Sequence, residues 1–381
     1  MPMTHVLLAP DKFKGTLTAA QVADALAVGV RRAAPSATTV TVPVADGGDG
    51  TLAAVVAAGF ERVPVTVSGP TGAPVESAYA RRGDDAVVEL ADASGLSRLP
   101  DGRPAPMTAS SAGTGELIAA ALDAGCRRVV VGIGGSAGTD GGAGLLTALG
   151  ARVLGRDGAP VRPGGGGLAD VTDLDLSALH PRLGEIELVV ASDVDNPLAG
   201  RHGAAQVYGP QKGASPDEVG ELDAALNRWA DVVARATGVD RRSQPGAGAA
   251  GGVGFGLVAV LGASVRPGTE LIAEVTGLRA AIEAADLVVT GEGSLDAQSL
   301  RGKAPVAVAR LAGAAGVRVV VAAGRLALPR AEVRAAGFAA AYALTDLASA
   351  DEAMARPAPL LETIGVQLMT DHLEGDPAHA G

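Results

Sequence analysis

Short apolar runs alternate with stretches of helical period at both ends of the chain. Residues 5–9 form a compact apolar run and predict a strand. After the loop PDKFKGTLT, Thr18 and Gln21 make a capping-box pattern, and AAQVADALAVGVRRAA repeats its apolar positions at helical spacing with basic residues near its end. A strand over 38–42 leads through PVADGGDG into a helix, TLAAVVAAG. The far end has the same rhythm: strand 287–290, loop GEGSLDAQSLRG, helix KAPVAVARLAGAAG, strand 318–322, a helix after Pro329, strand 338–343 and a last helix over 359–373. A βαβα order of this kind predicts a parallel sheet covered by helices.

The middle differs. From 63 to 90, β-branched stretches separated by GPTGAP and RRGDD predict antiparallel hairpins. Helices follow over 114–124 and 216–237; the second has Ser215 as cap, Pro216 in the first turn, Glu218 closing the box and Gly238 as terminator. PGGGGLADVTDLD reads as a Gly-rich loop. The ends together supply five strands, enough for one doubly wound sheet. The expected architecture is therefore α/β with two domains: a discontinuous one from 1–66 and 283–381, and an α/β domain inserted over 67–282. Ligands of such sheets bind beyond the carboxyl ends of the strands, here in a cleft facing the inserted domain.

Composition narrows the function. With 381 residues and a net charge of −11, the chain has no field to attract nucleic acid. Only 4 Phe, 3 Tyr and 1 Trp are present, so the core must be aliphatic. The lone Cys126 permits neither an intrachain disulfide nor a thiolate cluster. The longest uncharged stretch, 243–265, carries Pro245 and seven glycines and makes a poor membrane span. The opening lacks a basic leader, and the expected location is the cytoplasm, away from membranes.

Five loops after predicted strands share one chemistry of acid or hydroxyl, glycine and often lysine. They are 9–18, 45–51, 132–144, 191–197 with 208–214, and 290–303. Gly-rich loops entering helices bind phosphate through unpaired N–H groups, and acids among them can hold Mg²⁺. Of 31 cationic residues only Lys12, Lys14, Lys212 and Lys303 are lysines, and all four fall in these loops. A compact ammonium suits phosphate oxygens where the guanidinium fork does not fit. Asp193 and Asp195 share a side if the chain stays extended, which suits a metal ligand and a general base. Asp46 and Asp49 flank a double glycine, and Glu292 and Asp296 flank Ser294. Gly132-Ile-Gly134-Gly135-Ser136-Ala137 satisfies a dinucleotide fingerprint on paper, but the chain stays Gly-rich where that motif turns into a helix.

The motifs APDKFKGTLTA, PVADGGDGT, GIGGSAGTDGG, SDVDNPLAG with VYGPQKGA, PGAGAAGGVGFG and TGEGSLDAQSLRGKAP occur in this order. Together they resemble the class I glycerate kinases, over nearly the whole chain from Ala9 to Gly324. The resemblance implies a flavodoxin-like domain with a restriction-enzyme-like α/β insertion. It also implies transfer from ATP to D-glycerate with Mg²⁺, mostly to the 2-phosphate. On it, Asp193 is the expected base, Lys12 and Lys303 neutralise phosphate, and Asp46 or Asp195 holds Mg²⁺. Expected substrate and nucleotide contacts are Lys14, Asp49, Gly134, Gly135, Ser136, Asp140, Asn196, Lys212, Gly291, Glu292, Gly293, Ser294, Asp296 and Arg325. Arg325 and Lys14 are the candidates for the glycerate carboxylate. A second copy, in a homodimer, is the one macromolecular partner left open. The competing readings are a 3-phosphate product, an NAD-dependent hydroxyacid dehydrogenase, and a sugar-acid or nucleotide sensor without turnover.

Overall fold

The computed structural model describes residues 4–301 and 304–374. Among them run thirteen strands: β1 His5–Pro10, β2 Thr38–Thr41, β3 Glu61–Ser68, β4 Pro74–Arg82, β5 Asp85–Glu89, β6 Arg128–Gly132, β7 Arg152–Gly155, β8 Val171–Asp175, β9 Glu187–Ala191, β10 Ser264–Arg266, β11 Leu287–Leu295, β12 Arg318–Leu326 and β13 Ala340–Ala343. They divide into two compact units. The first draws on 1–45, 53–58 and 269–381, the second on 46–52 and 59–268.

In the first unit five parallel strands line up as β13-β12-β11-β1-β2. Counted along the chain this is the order 2-1-3-4-5 of a doubly wound, flavodoxin-like sheet, with its switch point between β1 and β11. Alternation along each strand feeds two cores. Val6, Leu8, Val289 and Val320 meet the helices Ala19–Ala33 and Pro357–Leu373 on one face. Leu7, Val288, Val319 and Val321 meet Leu278, Ile282 and Val308 on the other. Both halves of the Thr18–Gln21 capping box form.

β11 and β12 are longer than the sequence predicts, reaching 295 and 326. Glu292 pairs with Ala323 and Ser294 with Arg325, so the parallel ladder carries polar and glycine residues that strand propensity disfavours.

The second unit holds a six-stranded mixed sheet, β10-β9-β6-β5-β4-β3. β3, β4 and β5 are the antiparallel hairpins expected over 63–90, while β5, β6, β9 and β10 run parallel. β7 and β8 form a separate antiparallel pair. The stretch read as a Gly-rich loop folds instead as a 3₁₀ turn, Gly165–Asp170, followed by β8. Ser215 and Glu218 cap the helix Pro216–Thr237 reciprocally, and Gly238 ends it at φ 77°. That helix brings the fully buried Trp229 into a core with Leu117, Ile118, Val131 and Phe255. All four phenylalanines are buried, so the few aromatics are spent inside.

The unit boundaries fall near 59 and 268 rather than at 66 and 282. β3 pairs along its whole length with β4 in the second sheet, and Ala273, Leu278 and Ile282 pack in the first unit's core. The apolar stretch 243–265 contributes the buried helix Ala249–Ala259, and no helix among the described residues is long and apolar enough to cross a membrane.

Candidate active site

In the first unit the expected residues gather at the switch point. The Asp11 N–H donates to the Gly291 carbonyl at 2.7 Å, joining the loop after β1 to β11. Phe13, 3% exposed, anchors that loop, and its N–H donates to the Leu17 carbonyl. Lys12 is half-buried on the loop and Lys14 is exposed. A Cβ on Gly293 would lie 3.4 Å from the Lys14 nitrogen, so the two segments pack backbone to backbone. Arg325, exposed on the neighbouring strand, donates to Ser294 Oγ at 3.4 Å.

Gly291, Glu292, Gly293 and Ser294 belong to β11 and precede no helix directly, so a cradle of helix N-terminal N–H groups does not form there. Asp296 makes a local turn, accepting from the Gln298 and Ser299 N–H groups. Lys303 lies outside the described residues.

In the second unit a cavity of about 200 Å³ opens at the carboxyl ends of β6 and β9. Asp46 lines it, its Oδ1 accepting from the Gly48 N–H at 2.9 Å. The loop 45–51 is fastened to the loop after β6 by the Gly134 N–H donating to the Gly47 carbonyl. A Cβ on Gly134 would stand 2.6 Å from Gly48 Cα, so only glycine allows this approach. Asp193, exposed just past β9, also lines the cavity and accepts from the Gly268 N–H at 2.9 Å. The Asp46 carbonyl oxygen and Asp193 Oδ2 both lie within 3.3 Å of where a Gly268 Cβ would stand, so the two aspartates are neighbours.

Lys212 forms another wall. Its side chain is 2% exposed, and Nζ donates to Ser136 Oγ at 2.8 Å and to the Gly138 carbonyl. Burial pushes its pKa down to about 7, against the pull of the Asp140 carboxylate. Asp140 is 1% exposed and accepts from Ser111 and from the Gly142 and Gly144 N–H groups. It shapes the loop from beneath and does not line the cavity. Gly134, Gly135 and Ser136 do line it. Asn196 is held between the Tyr208 hydroxyl (2.6 Å) and the His202 carbonyl. Asp195 is exposed and outside the lining; burial, with Asp195 adding to it, raises the pKa of Tyr208. Asp49 is exposed on its loop.

Sequence reasoning missed three features. Glu89, 4% exposed at the end of β5, accepts from the Gly50 and Leu52 N–H groups at 3.1 and 2.7 Å and holds the Asp46 loop. Burial raises it to about 7 despite those bonds. An acid closing the apolar strand DAVVE was the available signal. Tyr208 and Gln211 line the cavity beside Lys212. Ala250, Gly251 and Gly252 all adopt left-handed φ, 55°, 69° and 89°, and the first two face the cavity. For Ala250 that conformation is strained.

Among the described residues no three His, Cys, Asp or Glu side chains form a metal cluster. The Asp46 carboxylate on the cavity wall fits Mg²⁺, which takes one or two carboxylates and completes its shell with water and phosphate. The apparent dinucleotide fingerprint does not work as one, because the next helix starts only at Ala143.

The family model described as the glycerate kinase family matches residues 6–372. The chain belongs to the glycerate kinase family, and it is a kinase. The glycerate kinase of Halalkalibacterium halodurans is 44% identical over 94% of this chain and 96% of its own length. The glycerate 2-kinase of Escherichia coli K12 is 43% identical over 91% and 92%. The crystal structure named for glycerate kinase 2 from Salmonella typhimurium LT2 superposes with a TM-score of 0.86 at 39% identity, covering 98% of this chain and 99% of that one. Neither a dehydrogenase nor a silent sensor is favoured within the glycerate kinase family.

Proposed function

We propose that this enzyme transfers the γ-phosphoryl group of ATP to the 2-hydroxyl of D-glycerate, giving 2-phosphoglycerate and ADP. The name of the Escherichia coli relative, a glycerate 2-kinase, supports this regiochemistry. The observation that carries the reading is the adjacency of Asp193 and Asp46 in a cavity that Lys212 also lines.

Phosphoryl transfer passes through a loose, anionic transition state, so positioning and charge neutralisation dominate. The acceptor oxygen forms its bond to the γ-phosphorus as the bond to the β-bridging oxygen breaks. Asp193 takes the hydroxyl proton and returns it to solvent. Asp46 would hold Mg²⁺ with phosphate oxygens, and the ion supplies positive charge to the transferring group. Lys12 and Lys303 are the further candidates to neutralise phosphate oxygens.

The test is ADP release. It should require ATP, Mg²⁺ and D-glycerate together, and release independent of glycerate would defeat the reading.

A further inference from the structure

Lys212 is the one cation buried among the described residues, it lines the cavity, and phosphoryl transfer at Asp193 does not by itself account for it. We infer that the cavity takes the carboxylate of the acceptor, with Lys212 Nζ as its counter-ion, and so selects a short hydroxy acid, with no room for the nucleoside part of the nucleotide. This rests on the kinase reading and assigns one of its two substrates to one set of residues.

Size is the first argument. About 200 Å³ falls below the roughly 300–1,000 Å³ of pockets that enclose drug-sized ligands, and a nucleotide is of that class. A three-carbon acid fits.

Polarity is the second. The lining is cationic at Lys212 and anionic at Asp46 and Asp193. A hydroxy acid is bipolar in the complementary sense, with a carboxylate at one end and a hydroxyl to be deprotonated at the other.

The third argument is the ammonium itself. An ammonium has three N–H donors; among the described residues Ser136 Oγ and the Gly138 carbonyl take two, leaving one for the cavity. A buried ammonium without a counter-ion is costly, and Asp140, the nearby acid, spends its oxygens on Ser111 and backbone N–H groups. An incoming carboxylate supplies the missing charge. The backbone is shaped for this: a Cβ on Gly251 would lie 2.8 Å from Lys212 Nζ and 2.2 Å from the Gly138 oxygen, and Ala250 beside it is held at φ 55°. Burial outweighs Asp140 and lowers the pKa of Lys212 to about 7, and a carboxylate bound against it would raise that value.

The experiment is steady-state kinetics on the full-length enzyme and Lys212→Met, varying D-glycerate and ATP separately. The expected result is a glycerate KM raised about 100-fold, the order of one lost charged hydrogen bond, with the ATP KM within about threefold of wild type. A raised ATP KM with glycerate unchanged would give Lys212 to the nucleotide, and two unchanged KM values would remove the acceptor from this cavity; either overturns the inference. Should Lys212→Met not fold, Ser136→Ala, which keeps the lysine and loosens its hold, is read the same way, with a glycerate-only rise expected. A wild-type enzyme that does not phosphorylate glycerate at all would instead overturn the functional reading.

Discussion

Asp193 leaves a strand whose preceding residues, Val189 to Ala191, are buried, yet its own carboxylate reaches solvent and is fixed by the Gly268 N–H. In the proposed reaction a carboxylate so oriented would act as the base without moving first. Asp193→Asn keeps the size and the hydrogen bond but cannot take a proton. The expected effect is a kcat lower by about 10²–10⁴ with little change in either KM; a kcat within a few-fold of wild type would remove the base assignment. Two buried titrating groups nearby leave a signature on stability. Glu89 is raised from 4.5 to about 7, so between those values the native state binds more protons than the unfolded chain and stability falls as pH rises. Lys212 is lowered from 10.5 to about 7, so between 7 and 10.5 the unfolded chain binds more protons and stability rises with pH. Together they put a trough near neutral pH. In Tm measured against pH, Glu89→Gln should flatten the lower limb and Lys212→Met the upper one. An unchanged profile in both variants would show that these groups titrate at their ordinary values.

At the scale of elements, function depends on loops that touch through their backbones. Gly134→Ala places a methyl 2.6 Å from Gly48 Cα, so the loop bearing Asp46 must shift. Activity should fall at least about tenfold, since misplacement by an ångström can cost 10²-fold, while far-UV circular dichroism stays native. By contrast, Ser215→Ala loses a helix cap remote from the chemistry and should cost about 1 kcal/mol of stability in urea titration, with kcat retained. Both capping boxes, the five strands of the first sheet and the antiparallel hairpins were legible because capping, periodicity and turns are local signals. The extensions of β11 and β12 were not, since the partner strand, not propensity, keeps Glu292 to Leu295 in the ladder. Asp140 looked like a ligand among glycines, and only packing shows that its oxygens face Ser111 and the loop backbone. Lys212 was flagged by lysine's rarity, but its burial against Ser136 and Gly138 depends on contacts distant in sequence.

At the scale of the molecule, an acidic, aliphatic chain is organised as two compact units, each with its own core and its own set of candidate site residues. Trp229 is the only tryptophan, and its Nε1 donates to the Gly141 carbonyl under the loop that carries Ser136. ATP at about 100 times its Kd should add about 2.7 kcal/mol to stability and raise Tm, whereas NAD⁺ should leave Tm unmoved; the reverse pattern would restore the dehydrogenase. The central claim is the reaction itself, and phosphorus NMR of the enzyme with ATP, Mg²⁺ and D-glycerate tests it most directly. The account predicts a 2-phosphoglycerate resonance growing in step with ADP. Growth of 3-phosphoglycerate would contradict the assigned hydroxyl, and ATP consumed without any phosphoglycerate would contradict the account as a whole.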